Sequence, residues 1–158
     1  MSRVEVTSYV KVNGEFAVIS AAAGHDGDCE YVPGAISLVV DGVEVLGLDL
    51  WDDINWLWPL VIQVLNECRQ AGSGKRHFPD QPIAIVAEVA PWGGNTLLTV
   101  TTADRSVHRT AVAPSHELFK VIAKAGGEFF RELGRLCGPG SVATEEEAVL
   151  NEWLRSTR

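Results

Sequence analysis

The residues able to do chemistry in this chain are few, and most are acidic. The densest group is His25-Asp26-Gly27-Asp28-Cys29-Glu30. Asp26, Asp28 and Glu30 alternate, so their carboxylates could offer hard oxygen ligands to calcium. The EF-hand spacing fails, because counted from Asp26 the sixth position is Tyr31, where glycine is needed, and the twelfth is Ser37, where glutamate is needed. Zinc would require His77, His108 or His116 to fold beside His25 and Cys29. The segment reads as a solvated acidic loop, and no metal or other cofactor is expected.

Asp49, Asp52 and Asp53 form a second acidic group, in Leu48-Asp49-Leu50-Trp51-Asp52-Asp53. A buried carboxylate beside an ionised one could do general acid–base work. Asp52 or Asp53 is more simply the N-cap of the helix that follows. Gly72-Ser73-Gly74-Lys75 is not a phosphate-binding loop: Arg69 stands where the first glycine belongs, Arg76 replaces the Ser or Thr that would hold magnesium, and the segment follows a helix pattern. There is no nucleophile elbow, and the four histidines are scattered. His77 with Asp80 reads as part of a turn. The basic clusters Lys75-Arg76 and Lys120, Lys124, Arg131 and Arg135 are interleaved with acids, which disfavours nucleic acid. No apolar run approaches the ~20 residues of a membrane span, so no membrane partner is expected.

The elements that must position these groups are legible from periodicity. Residues 3–12 and 16–22 alternate about Asn13-Gly14, and residues 36–40 and 43–50 flank Asp41-Gly42; both read as hairpins. A helix is expected over 52–71. Leu57, Trp58, Val61, Leu65 and Cys68 cluster within about 60° of Ile54, while Trp56 falls near 200°, almost opposite. Trp51 lies before the helix. Pro59 either kinks it or starts it. Residues 72–82 read as a loop. Strands at 82–90, 96–102 and 107–113 form an antiparallel meander, and a second helix spans 115–137; Gly126-Gly127 inside it mark either close packing on a sheet or a break in the helix. A short helix from Thr144 closes the chain. The fold class is thus α+β: a largely antiparallel sheet, two main helices on one face, and a single domain over 1–158.

Charge is distributed unevenly. Residues 1–72 hold eleven Asp or Glu and three Lys or Arg, a net of −8, whereas residues 73–158 balance at zero. Between Val12 and Cys68 there is no Lys or Arg at all. Such a field attracts basic partners and repels nucleic acid. The three cysteines are an odd, widely spaced set, so Cys68 and Cys137 are expected to act as small apolar side chains in a reducing cytoplasm. The N-terminus lacks a signal-peptide pattern, and export is not expected.

Residues 33–90, in particular VPGAISLVVDGVEVLGLDLWDDINWLWPLVIQVL and FPDQPIAIVAEV, resemble a group of small uncharacterised bacterial proteins in which a glycine-led hairpin enters a tryptophan–aspartate-started helix. Some small acidic α+β domains of that kind are similar to immunity proteins of bacterial toxin systems. The resemblance implies a protein-binding module that covers a basic toxin or enzyme, and it carries no catalytic residues over. The residues expected to meet such a partner are Trp56, Asp52, Asp53, Trp51, Asp26, Asp28 and Glu30. The alternatives are a homodimer that buries Trp56 against its own copy, and a small enzyme or ligand-binding domain built on the acidic loop and Asp49, Asp52 or Asp53.

Overall fold

The computed structural model describes residues 3–25 and 27–156; Asp26 is outside the described residues. Asn13 and Gly14 adopt φ of 52° and 80°, and Asp41 and Gly42 adopt 49° and 82°. Paired positive φ values match the twist of the flanking strands, so both dipeptides close tight hairpins. The first joins β1 (Val4–Val12) to β2 (Glu15–Val18), and the second joins β3 (Pro33–Val40) to β4 (Val43–Leu46). β1 pairs antiparallel with β3, and a two-residue strand, β5 (Asp52–Asp53), pairs with Pro33 and Gly34, giving the order β2-β1-β3-β4 with β5 also on β3.

The meander is β7 (Ile83–Val89), β8 (Asn95–Thr102) and β9 (His108–Pro114). It is extended by β6 (Ser73–His77), which pairs with β7, so the strands divide into two antiparallel sheets and not one. Residues 72–82 were expected to be a loop, because Ser-Gly-Lys-Arg-His has no strand pattern. Gly74 is why the strand forms. A Cβ there would sit 2.4 Å from the Val64 carbonyl oxygen and 2.9 Å from Glu67 Cβ. Only glycine lets the strand lie this close to the helix, where it pairs with β7.

Helix α1 (Ile54–Ala71) runs without interruption through the buried Pro59, so helical phase holds from its first residue. Its apolar stripe meets β6, β7 and β3, while α2 (Ser115–Cys137) packs on β1, β8 and β9, and α3 (Thr144–Ser156) lies against both helices. One continuous core results, with contributions from both sheets and all three helices. Trp58 is fully buried, stacks on Phe129 with centroids 5.9 Å apart, and donates its indole N–H to Ser8 Oγ at 2.8 Å. That bond explains a serine at an inward position of β1. Gly126 serves helix packing, not sheet packing: a Cβ would meet Leu150 Cδ1 at 2.6 Å and the Trp58 ring at 3.1 Å.

Cys29 and Cys137 form a disulfide across 108 residues, and Cys68 is the buried free thiol. The expectation of an apolar, unpaired Cys137 is therefore corrected. The last turn of α2 ends beside the acidic loop, a proximity no spacing in the sequence encodes. No described helix is long and apolar enough to cross a membrane.

Candidate docking surface

Because α1 is helical from Ile54, Trp56 does point away from the stripe that buries Trp58. It is 53 % exposed, and Tyr31, which follows the Glu30 that Trp56 bonds, is 58 % exposed. The indole is nevertheless fixed. Its N–H donates to the Glu30 carbonyl oxygen at 2.7 Å, and Asn55 Nδ2 donates to the same oxygen at 2.9 Å. Asn55 Oδ1 accepts the Val32 N–H at 3.0 Å. Asn55 Nδ2 also lies 3.4 Å from the Cys29 carbonyl, so the first turn of α1 and the end of the acidic loop hold each other through four side-chain bonds and the backbone bond from the Ile54 N–H to the Val32 carbonyl, and the ring is oriented before anything binds.

Trp56 borders a cleft of about 440 Å³. Its apolar lining comes from Pro59 and Leu60 of α1, Pro79 of the β6–β7 connection, and Val142 and Ala143 ahead of α3. Asn55, Gln63 and Glu146 supply polar lining, and Gln63 Nε2 donates to Glu146 Oε1 at 2.9 Å. Among the described residues no Lys or Arg lines it.

The acidic residues separate into two groups once their partners are known. Arg109 of β9 pairs with Asp49 and, at 4.0 Å, with Glu44; Arg76 pairs with Glu67; Arg3 pairs with Glu5 and donates its backbone N–H to Asp41. The base-free stretch is therefore partly neutralised by arginines from elsewhere in the chain. Among the described residues, no ion pair engages Asp28, Glu30, Asp53, Asp80 or Glu146. Asp28 and Glu30 lie on the loop that holds Trp56, Asp80 follows Pro79, and Glu146 borders the cleft. Acids without an ion pair also lie elsewhere, Glu15, Glu88 and Glu128 among them, but Asp28, Glu30, Asp80 and Glu146 belong to the segments that surround Trp56.

Two expected partner residues are placed differently. Asp52 is only 2 % exposed; its Oδ2 accepts the N–H groups of Asp80 at 3.0 Å and Gln81 at 2.9 Å, and its Oδ1 accepts that of Asp53 at 2.7 Å. It is a buried anchor for the segment carrying Pro79 and cannot meet a partner. β5 is the cause, since pairing with Gly34 turns the carboxylate inward. Trp51 is half-buried, with the Lys11 ammonium 4.2 Å from its ring centroid, so its face is already occupied by a cation. Asp26 lies outside the described residues. Asp53 remains partly exposed at the N-cap without a capping side-chain bond. Burial, then the charges of Asp52 and Asp80, push its carboxyl pKa up.

The acid–base alternative finds no shared geometry. The cavity bordered by Asp49 is lined by neither Asp52 nor Asp53, and Arg109 holds the Asp49 carboxylate. Cys29 is committed to its disulfide and cannot join His25 as a zinc ligand; among the described residues no three His, Cys, Asp or Glu side chains gather for a metal. Asn55, Leu60, Gln63, Pro79, Val142, Ala143 and Glu146 carried no signal in the sequence, because they come from three separate segments, at 55–63, 79 and 141–146. No family model, curated protein or solved structure matches the chain.

Proposed function

We propose that the protein is an acidic protein-binding module of the immunity or inhibitor type, which covers a basic surface of a partner protein with its Tyr31–Trp56 face. One observation carries this reading: an exposed indole locked in orientation borders an apolar cleft that Glu146 also lines, and Asp28, Glu30 and Asp80 on the adjoining segments have no ion pair among the described residues. Aromatic anchors in a preformed surface supply affinity, and a rim of one charge steers an oppositely charged partner. An arginine-bearing segment fits best, since a guanidinium can stack on indole while pairing with carboxylate. A second copy of the chain fits poorly, because the same carboxylates would face each other across a twofold axis. The disulfide favours an oxidising environment over the reducing cytoplasm that the cysteine spacing suggested.

The test is fluorescence anisotropy with a labelled peptide of alternating arginine and leucine. Binding should weaken steeply with salt, and Trp56→Ala and Glu30→Lys should each weaken it at least tenfold. Glu88→Lys is the control. Glu88 is exposed on β7 beside the C-terminal end of α1, roughly 24 Å of helix away from Trp56. If Trp56→Ala leaves affinity unchanged, or Glu88→Lys lowers it equally, the peptide is responding to net charge and the face is not a docking site.

A further inference from the structure

We infer that the Cys29–Cys137 disulfide is a redox latch on this docking face, a conclusion that rests on the reading of the face just given. The acidic loop is short of anchors. Its own bonds are local: Asp28 Oδ1 accepts the Glu30 N–H at 2.9 Å, and the Asp28 carbonyl accepts the Tyr31 N–H at 3.0 Å and lies 3.2 Å from His25 Nε2. Among the described residues it is tied to the body by Asn55, by Trp56, by the Ile54 N–H to the Val32 carbonyl at 2.8 Å, and by the disulfide. The hydrogen bonds to Glu30 lie at an exposed position, where water competes for the same carbonyl.

The disulfide also joins the two sides of the cleft. Cys29 sits one residue before Glu30, whose carbonyl fixes Trp56. Cys137 closes α2; its carbonyl accepts Ser141 Oγ at 3.2 Å, and the chain then turns through Gly138, at φ 90°, and Pro139–Ser141 into Val142 and Ala143 of the cleft wall. A single covalent bond therefore holds the acidic loop against the base of the opposite wall. Both cysteines are partly exposed, whereas Cys68 is 2 % exposed, so a reductant reaches the disulfide and the third sulfur does not compete for it.

The reductant is a dithiol. One of its thiolates attacks Sγ of Cys29 or Cys137, forming a mixed disulfide and releasing the other cysteine as a thiolate that takes up a proton. The second thiol of the reductant then displaces the first protein sulfur, which is protonated in turn. Two electrons and two protons pass to the protein, and the dithiol leaves as its cyclic disulfide. The loop carrying Asp28, Glu30 and Tyr31 then keeps only hydrogen bonds, those of Asn55 and Trp56 and the Ile54 N–H to the Val32 carbonyl, and the oriented face is lost.

The full chain is compared oxidised, reduced with dithiothreitol, and reoxidised, with Cys29→Ser/Cys137→Ser as a variant that cannot close the bond. Amide hydrogen exchange and anisotropy of the arginine–leucine peptide are read on each. Reduction should speed exchange at residues 29–32 and 138–143 at least tenfold and leave β1, β3 and the middle of α1 unchanged. Peptide affinity should fall at least fivefold and return on reoxidation. Unchanged loop exchange, unchanged affinity, or loss of protection throughout β1, β3 and α1 would each overturn the latch, the last by making the bond a global staple, and all three leave the docking reading in place. If the oxidised protein does not bind the peptide, the docking reading fails and the latch falls with it.

Discussion

Replacing Asp52 with asparagine removes a charge that the folded chain buries and surrounds with three backbone N–H donors. Oδ2 accepts from Asp80 and Gln81, and Oδ1 accepts from Asp53. Asparagine has one acceptor oxygen. Turned toward Asp80 and Gln81, it keeps two bonds in weaker, neutral form and sets its own NH₂ against the Asp53 N–H. A bond to a charged acceptor contributes about 1.5–3 kcal/mol and a neutral one about 0.5–1.5. Losing the first kind once and weakening it twice, less the relief of no longer burying a charge, leaves a net cost of about 2–4 kcal/mol. Equilibrium urea unfolding under non-reducing conditions measures it, and with m of roughly 2 kcal/mol/M the midpoint should fall by about 1–2 M. Exchange of the Asp80 and Gln81 amides should accelerate more than that of the core strands. A change below about 0.5 kcal/mol with both amides still protected would refute the anchor. A variant of unchanged stability that loses the salt dependence of peptide binding would instead return Asp52 to the surface role its sequence position suggested.

The two tryptophans should separate by the same denaturation. Trp58→Ala should cost about 3–5 kcal/mol, the range for emptying a large core site, whereas Trp56→Ala should cost no more than about 1.5 kcal/mol, the value of one hydrogen bond; equal losses in a demonstrated monomer would remove the surface assignment. Gly74→Ala should destabilise by about 1–3 kcal/mol, because the new methyl meets the Val64 carbonyl oxygen, which is backbone and cannot swing aside; a neutral result by thermal unfolding would mean that β6 does not press on α1. Asp53 has a folded pKa above its unfolded value, so its ionisation opposes folding, and the opposition fades as pH falls through the folded pKa. Asp53→Asn should therefore be at least as stable as the parent at pH 7, with the difference closing in acid; a variant that is less stable at neutral pH and recovers in acid would reverse the sign.

Local chemistry settled a good part of this protein in advance. Asn13-Gly14 and Asp41-Gly42 dictate two hairpins, because positive φ at both positions admits few other paths. The spacing of Ile54, Leu57, Trp58, Val61 and Leu65 dictates which side of α1 is buried, and thereby that Trp58 goes in and Trp56 stays out. Both inferences use distances within one turn or one helix, which are fixed by backbone geometry. The rest required the elements to meet. Ser73–His77 became a strand because a helix and β7 lie on either side of a residue without a side chain. Asp52 turned inward because β5 pairs with β3 and the 80–81 amides arrive above it. Arg109 neutralised Asp49 across 60 positions and Arg76 neutralised Glu67, which is why the base-free stretch keeps less unpaired charge than its sequence suggests. Cys29 and Cys137 paired across 108 residues for the same reason. Residue spacing encodes neighbours along an element; contacts between elements depend on how whole buried faces pack, and only the folded chain decides that.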